Sequence, residues 1–108
     1  MVTFSEREKA FETKYQLDQE LAFKVNVRRN KLLGLWAAGL MGMPKDAAAA
    51  YAKEVVASDF EKPGDNDVLK KVLADFAKHN VDISEHRLRK EMDNLLAEAK
   101  KQIMQEVS

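Results

Sequence analysis

The stretch MGMPKDAAAAYAKEVVASDFEKPGDND, Met41 to Asp67, decides the fold. It holds two breakers, Gly42-Met43-Pro44 and Lys62-Pro63-Gly64, and between them a run of good helix formers. Gly42 accepts a positive φ just past a helix end, and Pro44 suits the first position of the next helix. Four consecutive alanines, Ala47 to Ala50, favour helix and permit a neighbour to approach closely. Ala48, Tyr51, Ala52, Val55 and Asp59 fall on one side, with Val56 and Phe60 adjacent. The spacing therefore predicts a helix from about Pro44 to Phe60, bounded by turns.

Working outward, the same pattern repeats on both sides. After Pro63-Gly64, Asp65 or Asp67 is placed to N-cap a helix whose stripe is Leu69, Val72, Leu73 and Phe76. His79-Asn80 ends it: Asn80 tolerates the left-handed C′ position, and Val81 suits the apolar contact of a Schellman end. Ser84 reads as the next N-cap, with Ile83 and Leu88 as a hydrophobic staple. Met92, Leu95, Leu96, Ala99 and Ile103 continue that helix. Upstream, no breaker precedes Gly34, so one helix runs from Phe4 towards Leu40. Its rear part has a broad apolar face: Ala22, Val25, Leu32, Leu33, Trp36 and Leu40. Period-two alternation is absent. The expected class is all-α, a four-helix bundle with short, antiparallel connections.

The front of the first helix differs from the rest. Phe4, Phe11 and Tyr15 recur at i, i+7 and i+11 and form only a thin stripe. Glu6, Arg7, Glu8, Lys9, Glu12, Lys14, Asp18 and Glu20 occupy most of the remaining surface. This marks residues 1–18 as an arm, mobile or extended and helical, and residues 19–108 as a four-helix body.

The bulk numbers narrow the function. The chain has 108 residues, enough for one modest core. Lys plus Arg and Asp plus Glu are 18 each, a formal net charge of zero. A nucleic-acid binder or a polybasic membrane anchor would carry a basic excess. There are no cysteines, which excludes disulfides, a thiolate nucleophile and cysteine zinc sites. No signal-peptide h-region is visible, and the longest apolar run, Leu32 to Met43, falls short of the ~20 residues that span a bilayer. The expectation is a cytoplasmic protein, with no nucleic-acid partner and no membrane insertion.

Candidate chemistry is thin. His79 and His86 are the only histidines and lack further ligands, so no metal site is expected, and His79 at a helix end suits the dipole. Gly34, Gly39 and Gly42 lack the lysine-serine ending of a phosphate loop. They read as a close helix contact at Gly34 and helix ends at Gly39 and Gly42. No cofactor is expected, although weak ATP or ADP binding stays open. The carboxylates sit among Lys and Arg on helix faces, as on a solvated surface. The chain does not read as an enzyme. Trp36, the only tryptophan, lies on the apolar face and reads as core. Arg28, Arg29 and Lys31 form a local basic cluster, either for solubility or as a contact for an acidic partner.

The most specific stretch is Val27 to Gly39, VRRNKLLGLWAAG. With it go Phe4, Arg7, Glu8, Ala10, Phe11, Glu12, Lys14 and Tyr15 at the front, and AYAKEVV, Ala50 to Val56. On these residues the sequence resembles the zeta subunit of alphaproteobacterial F-type ATP synthases, a family of ATPase inhibitors. Val27 replaces the family's alanine and Gly39 its acidic residue. The resemblance implies a four-helix body whose N-terminal arm enters the catalytic headpiece, among the alpha, beta and gamma subunits. There it blocks rotation in the hydrolytic direction, as the mitochondrial inhibitor protein does on a different fold. It implies partner contacts by Phe4, Arg7, Glu8, Lys9, Phe11, Glu12, Lys14 and Tyr15, with Arg28, Arg29 and Lys31 as a secondary contact. The inhibitor is expected to be a monomer when free and to work on the cytoplasmic side of the membrane-bound synthase. The alternative readings are a helical adaptor or a nucleotide-sensing module that binds through its body.

Overall fold

A computed structural model describes the backbone of residues 4–61 and 65–107, with side chains for 19–60 and 65–106. Four helices follow in chain order: α1 Phe4–Leu40, α2 Lys45–Glu61, α3 Asp65–Lys78 and α4 Glu85–Val107. No strand occurs among the described residues. Helix α1 is a single rod of 37 residues that crosses positions 18–21 without a break.

The rod organises the bundle. It packs most extensively against α2 and α4, while α3 bridges α2 and α4 on a third side. Neighbouring helices alternate in direction. The main core joins Leu33, Ala37 and Ala38 of α1 to Tyr51 and Val55 of α2, and to Val68, Leu69, Val72 and Phe76 of α3. Leu88 and Met92 of α4 complete it. A smaller cluster, Val25 with Ala99 and Ile103, continues the contact of α1 with the far half of α4, and Leu21, Leu32 and Leu96 pack beside it. The stripes expected from sequence are thus largely the ones that pack. Ala22, Leu40 and Phe60 are exceptions, all exposed. Trp36 is half-buried rather than central: it packs against the core and meets Phe76 edge-on, with ring centroids 6.0 Å apart at 75°.

The helix ends follow from local chemistry. Gly42 has φ 75°. The Met43 amide donates to the Ala38 carbonyl at 3.0 Å and the Gly42 amide to Gly39 at 3.1 Å, which makes a Schellman end for α1. Helix α3 ends in the same way: Asn80 has φ 57°, and the Val81 amide reaches the Phe76 carbonyl at 2.8 Å. Ser84 caps α4, its Oγ accepting from the Arg87 amide at 3.1 Å. Two expected caps shift. Pro44 sits one place ahead of α2, its carbonyl accepting from the Ala48 amide at 2.8 Å. Asp65 and Asp67 lie inside the first turn of α3, where their charge still favours the positive end of the dipole.

Gly34 is where α1 and α2 come closest. A Cβ built there would lie 2.5 Å from the Ala52 Cα, a backbone atom that cannot swing aside. In an open helix Gly→Ala stabilises by about 1 kcal/mol. Here overpacking outweighs that gain, and Gly34→Ala lowers stability by about 1–2 kcal/mol net. Thermal denaturation reads the sign directly, and a raised melting temperature would show that α2 moves away freely. Gly39→Ala is the matched control, since its Cβ would meet nothing within 4 Å.

Candidate partner-binding surface

Arg28, Arg29 and Asn30 are consecutive on α1, and each reaches a different neighbour. Arg28 donates through Nη1 to Gln102 Oε1 at 2.8 Å and through Nη2 to Glu106 Oε1 at 2.6 Å, both on α4. Arg29 donates through Nη2 to Asp65 Oδ1 of α3 at 2.8 Å and through Nε to Asn30 Oδ1 at 2.8 Å. Asn30 donates through Nδ2 to Asp59 Oδ2 of α2 at 3.2 Å. Each step along a helix turns about 100°, so three successive side chains sweep past α4, α3 and α2 in turn. Arg29 and Asn30 are 3% and 1% exposed, the two polar residues in the buried set. No described buried side-chain polar atom lacks a hydrogen-bond partner.

The three basic side chains therefore point in different directions. Arg28 and Arg29 tie helices together, while Lys31 is exposed and lines a surface trough between α1 and α2. The front residues, Phe4, Arg7, Glu8, Lys9, Phe11, Glu12, Lys14 and Tyr15, have side chains outside the described set, and only their helical backbone in α1 is given.

A second polar link joins α2 to α3. Tyr51, 5% exposed, donates its hydroxyl to Asp75 Oδ2 at 2.7 Å. Lys71 lies 3.3 Å from the same oxygen and 3.7 Å from Glu54, and 5.5 Å above the Tyr51 ring. Burial first, then the hydrogen bond to Asp75 and the neighbouring carboxylates, push the Tyr51 phenol well above its ordinary value, so it stays a donor. His79 and His86 are both exposed, and no group of three metal-ligating side chains occurs among the described residues. Among the described residues no helix is long and apolar enough to cross a membrane.

Sequence reasoning missed Asn30 as a buried link and the exposed Phe23–Phe60 ring pair, with centroids 5.7 Å apart. It also missed the trough that this pair closes. One signal was readable: Ala49, Lys53, Val56, Ala57 and Phe60 follow at i, i+4, i+7, i+8 and i+11, a second stripe on α2 beside its core stripe.

Comparison with known proteins places this geometry. The family model described as ATPase inhibitor subunit zeta matches residues 1–102. A chain solved by solution NMR superposes with a TM-score of 0.68 at 46% sequence identity, covering 78% of this chain and 95% of its own. No curated protein matches at a significant level.

Proposed function

Because the chain belongs to the ATPase inhibitor subunit zeta family, we propose that it restrains ATP hydrolysis by an F-type ATP synthase through residues 1–18. In this reading that segment enters the catalytic headpiece, among the alpha, beta and gamma subunits on the cytoplasmic side, and blocks rotation in the hydrolytic direction. One observation carries the proposal: the family match begins at residue 1, so the segment ahead of the bundle belongs to what the family shares.

Helical register supports it. Positions eighteen apart, about five turns, share a face. Phe4, Phe11 and Tyr15 thus align with Ala22, Arg29 and Leu33 of the same rod. Arg29 and Leu33 are buried in the body, Arg29 against α3, while Ala22 is exposed. A groove on the headpiece would cover that face along the front of α1. The body also lowers the threshold for a helical arm. An isolated helix of this length is marginal because its first turn is costly, whereas growth from a rod already held by α2 and α4 needs no new nucleus. Arg7, Lys9 and Lys14 would then meet acids, and Glu8 and Glu12 bases, on the partner.

The test is ATP hydrolysis by the cognate headpiece with and without added chain. Inhibition is expected, and none at saturating concentration would sink the reading. Phe11→Ala is expected to keep the melting temperature and weaken binding by ~2 kcal/mol, the range of an interface hot spot. That is roughly thirtyfold in Kd. Equal inhibition by variant and parent at limiting concentration would remove Phe11 from the contact.

A further inference from the structure

The trough between α1 and α2 is made by two apolar stripes that the core does not use. Helix α1 contributes Val27 and Leu35, and α2 contributes Ala49, Val56, Ala57 and Phe60. Its volume is about 490 Å³. From Val27 to Leu35 it follows about 12 Å of helix axis, room for roughly two turns of a third helix. Ala49 and Ala57 are small, which lets another backbone approach closely. Phe23 and Phe60, 57% and 58% exposed, form an aromatic stop at one end.

Charge selects the occupant. Lys31 stands on the α1 wall and Lys53 on the α2 wall, both exposed near the middle of the trough. Three nearby cations are already paired: Arg28 with Glu106, Arg29 with Asp65, Lys71 with Glu54 and Asp75. Neither Lys31 nor Lys53 pairs with a carboxylate among the described residues. A docking helix with an apolar ridge and a carboxylate on each flank would bury the ridge and neutralise both lysines. The chain's own front segment fits less well. Glu8 and Glu12 lie on one flank of its aromatic stripe, but Arg7 and Lys14 lie on the other.

We propose that the α1–α2 trough is a second docking site for the ATPase, separate from residues 1–18, which clasps an acid-flanked amphipathic helix of the synthase. This rests on the inhibitor reading above. The arm blocks the motor, and the trough holds the body beside it.

The experiment measures binding of the full chain to the cognate headpiece at low and high salt. Lys31→Glu combined with Lys53→Glu is expected to raise Kd about tenfold or more at low salt and less at high salt. The melting temperature should not change, since both side chains are exposed. Phe60→Ala should weaken binding at both salt levels. Lys45→Glu combined with Lys90→Glu makes the same change in net charge at exposed sites outside the trough and should leave Kd within roughly twofold. If the trough pair binds like the parent, or the control pair weakens binding equally, the proposal falls while the arm reading stands. If the parent does not bind, both fall. If the parent sediments as a dimer that the trough pair dissociates, a second copy is the occupant and the synthase helix is excluded.

Discussion

Phe76→Ala removes about 3–5 kcal/mol of stability, the usual range for truncating a buried phenylalanine. The ring is 1% exposed and lies among residues of all four helices in the main core. Its loss leaves a void in the main core, and Trp36 loses its edge-on partner. A domain of this size is stable by about 5–15 kcal/mol, so the loss is a large fraction of the total. Urea denaturation measures the effect. Phe60→Ala, with its ring 58% exposed, is the internal control and should shift stability by under about 1 kcal/mol. Equal small shifts for both variants would mean that Phe76 is not the centre of the core.

Arg29→Ala is the second large effect, about 3 kcal/mol. The substitution deletes the bond to Asp65 and leaves Asn30 Oδ1, buried with the rest of a side chain on a 1% exposed residue, without its donor. Asp65 itself is 68% exposed, so water recovers that carboxylate, and the loss stays below that of a fully buried ion pair. Arg28→Ala is the comparison one residue away. Its partner Glu106 is 53% exposed, and the expected cost is about 1 kcal/mol or less. Thermal melts of the two variants decide the matter. The arginines are neighbours of equal charge, so a difference between them comes from where the helix turn aims each one. If Arg29→Ala melts like the parent but binds the headpiece less well, Arg29 serves the partner and not the fold.

These two residues show how unevenly the fold was legible. Phe76 sits at a period of three and four with Leu69, Val72 and Leu73, and that spacing names it as core. Arg29 carries no such mark. Next to Arg28 and Lys31 it belongs to a basic run, and such a run ordinarily faces water. Only the presence of α3 at that angle around α1 turns it inward. Trp36 lies between the two cases: its stripe was correct, but it sits half-buried at the margin of the core, edge-on to Phe76 of α3.

What the amino-acid sequence determined by itself is local. Helix ends depend on a few adjacent residues: Gly42 and Asn80 because they accept a left-handed backbone, and Ser84 because its hydroxyl reaches the Arg87 amide. The four helices, their order and their core stripes follow from such signals and from periodicity. Gly34 also belongs here, since a glycine inside an otherwise strong helix points to close packing. The tertiary structure decided what surrounds each face of α1. Three helices do not cover the whole perimeter of a fourth. Arg28, Arg29 and Asn30 fall on the covered arc and become links to α4, α3 and α2. Phe23, Val27, Lys31 and Leu35 fall on the arc left open between α1 and α2. Periodicity fixes the angle of a side chain about its own helix axis, but which angles are covered depends on how distant segments pack.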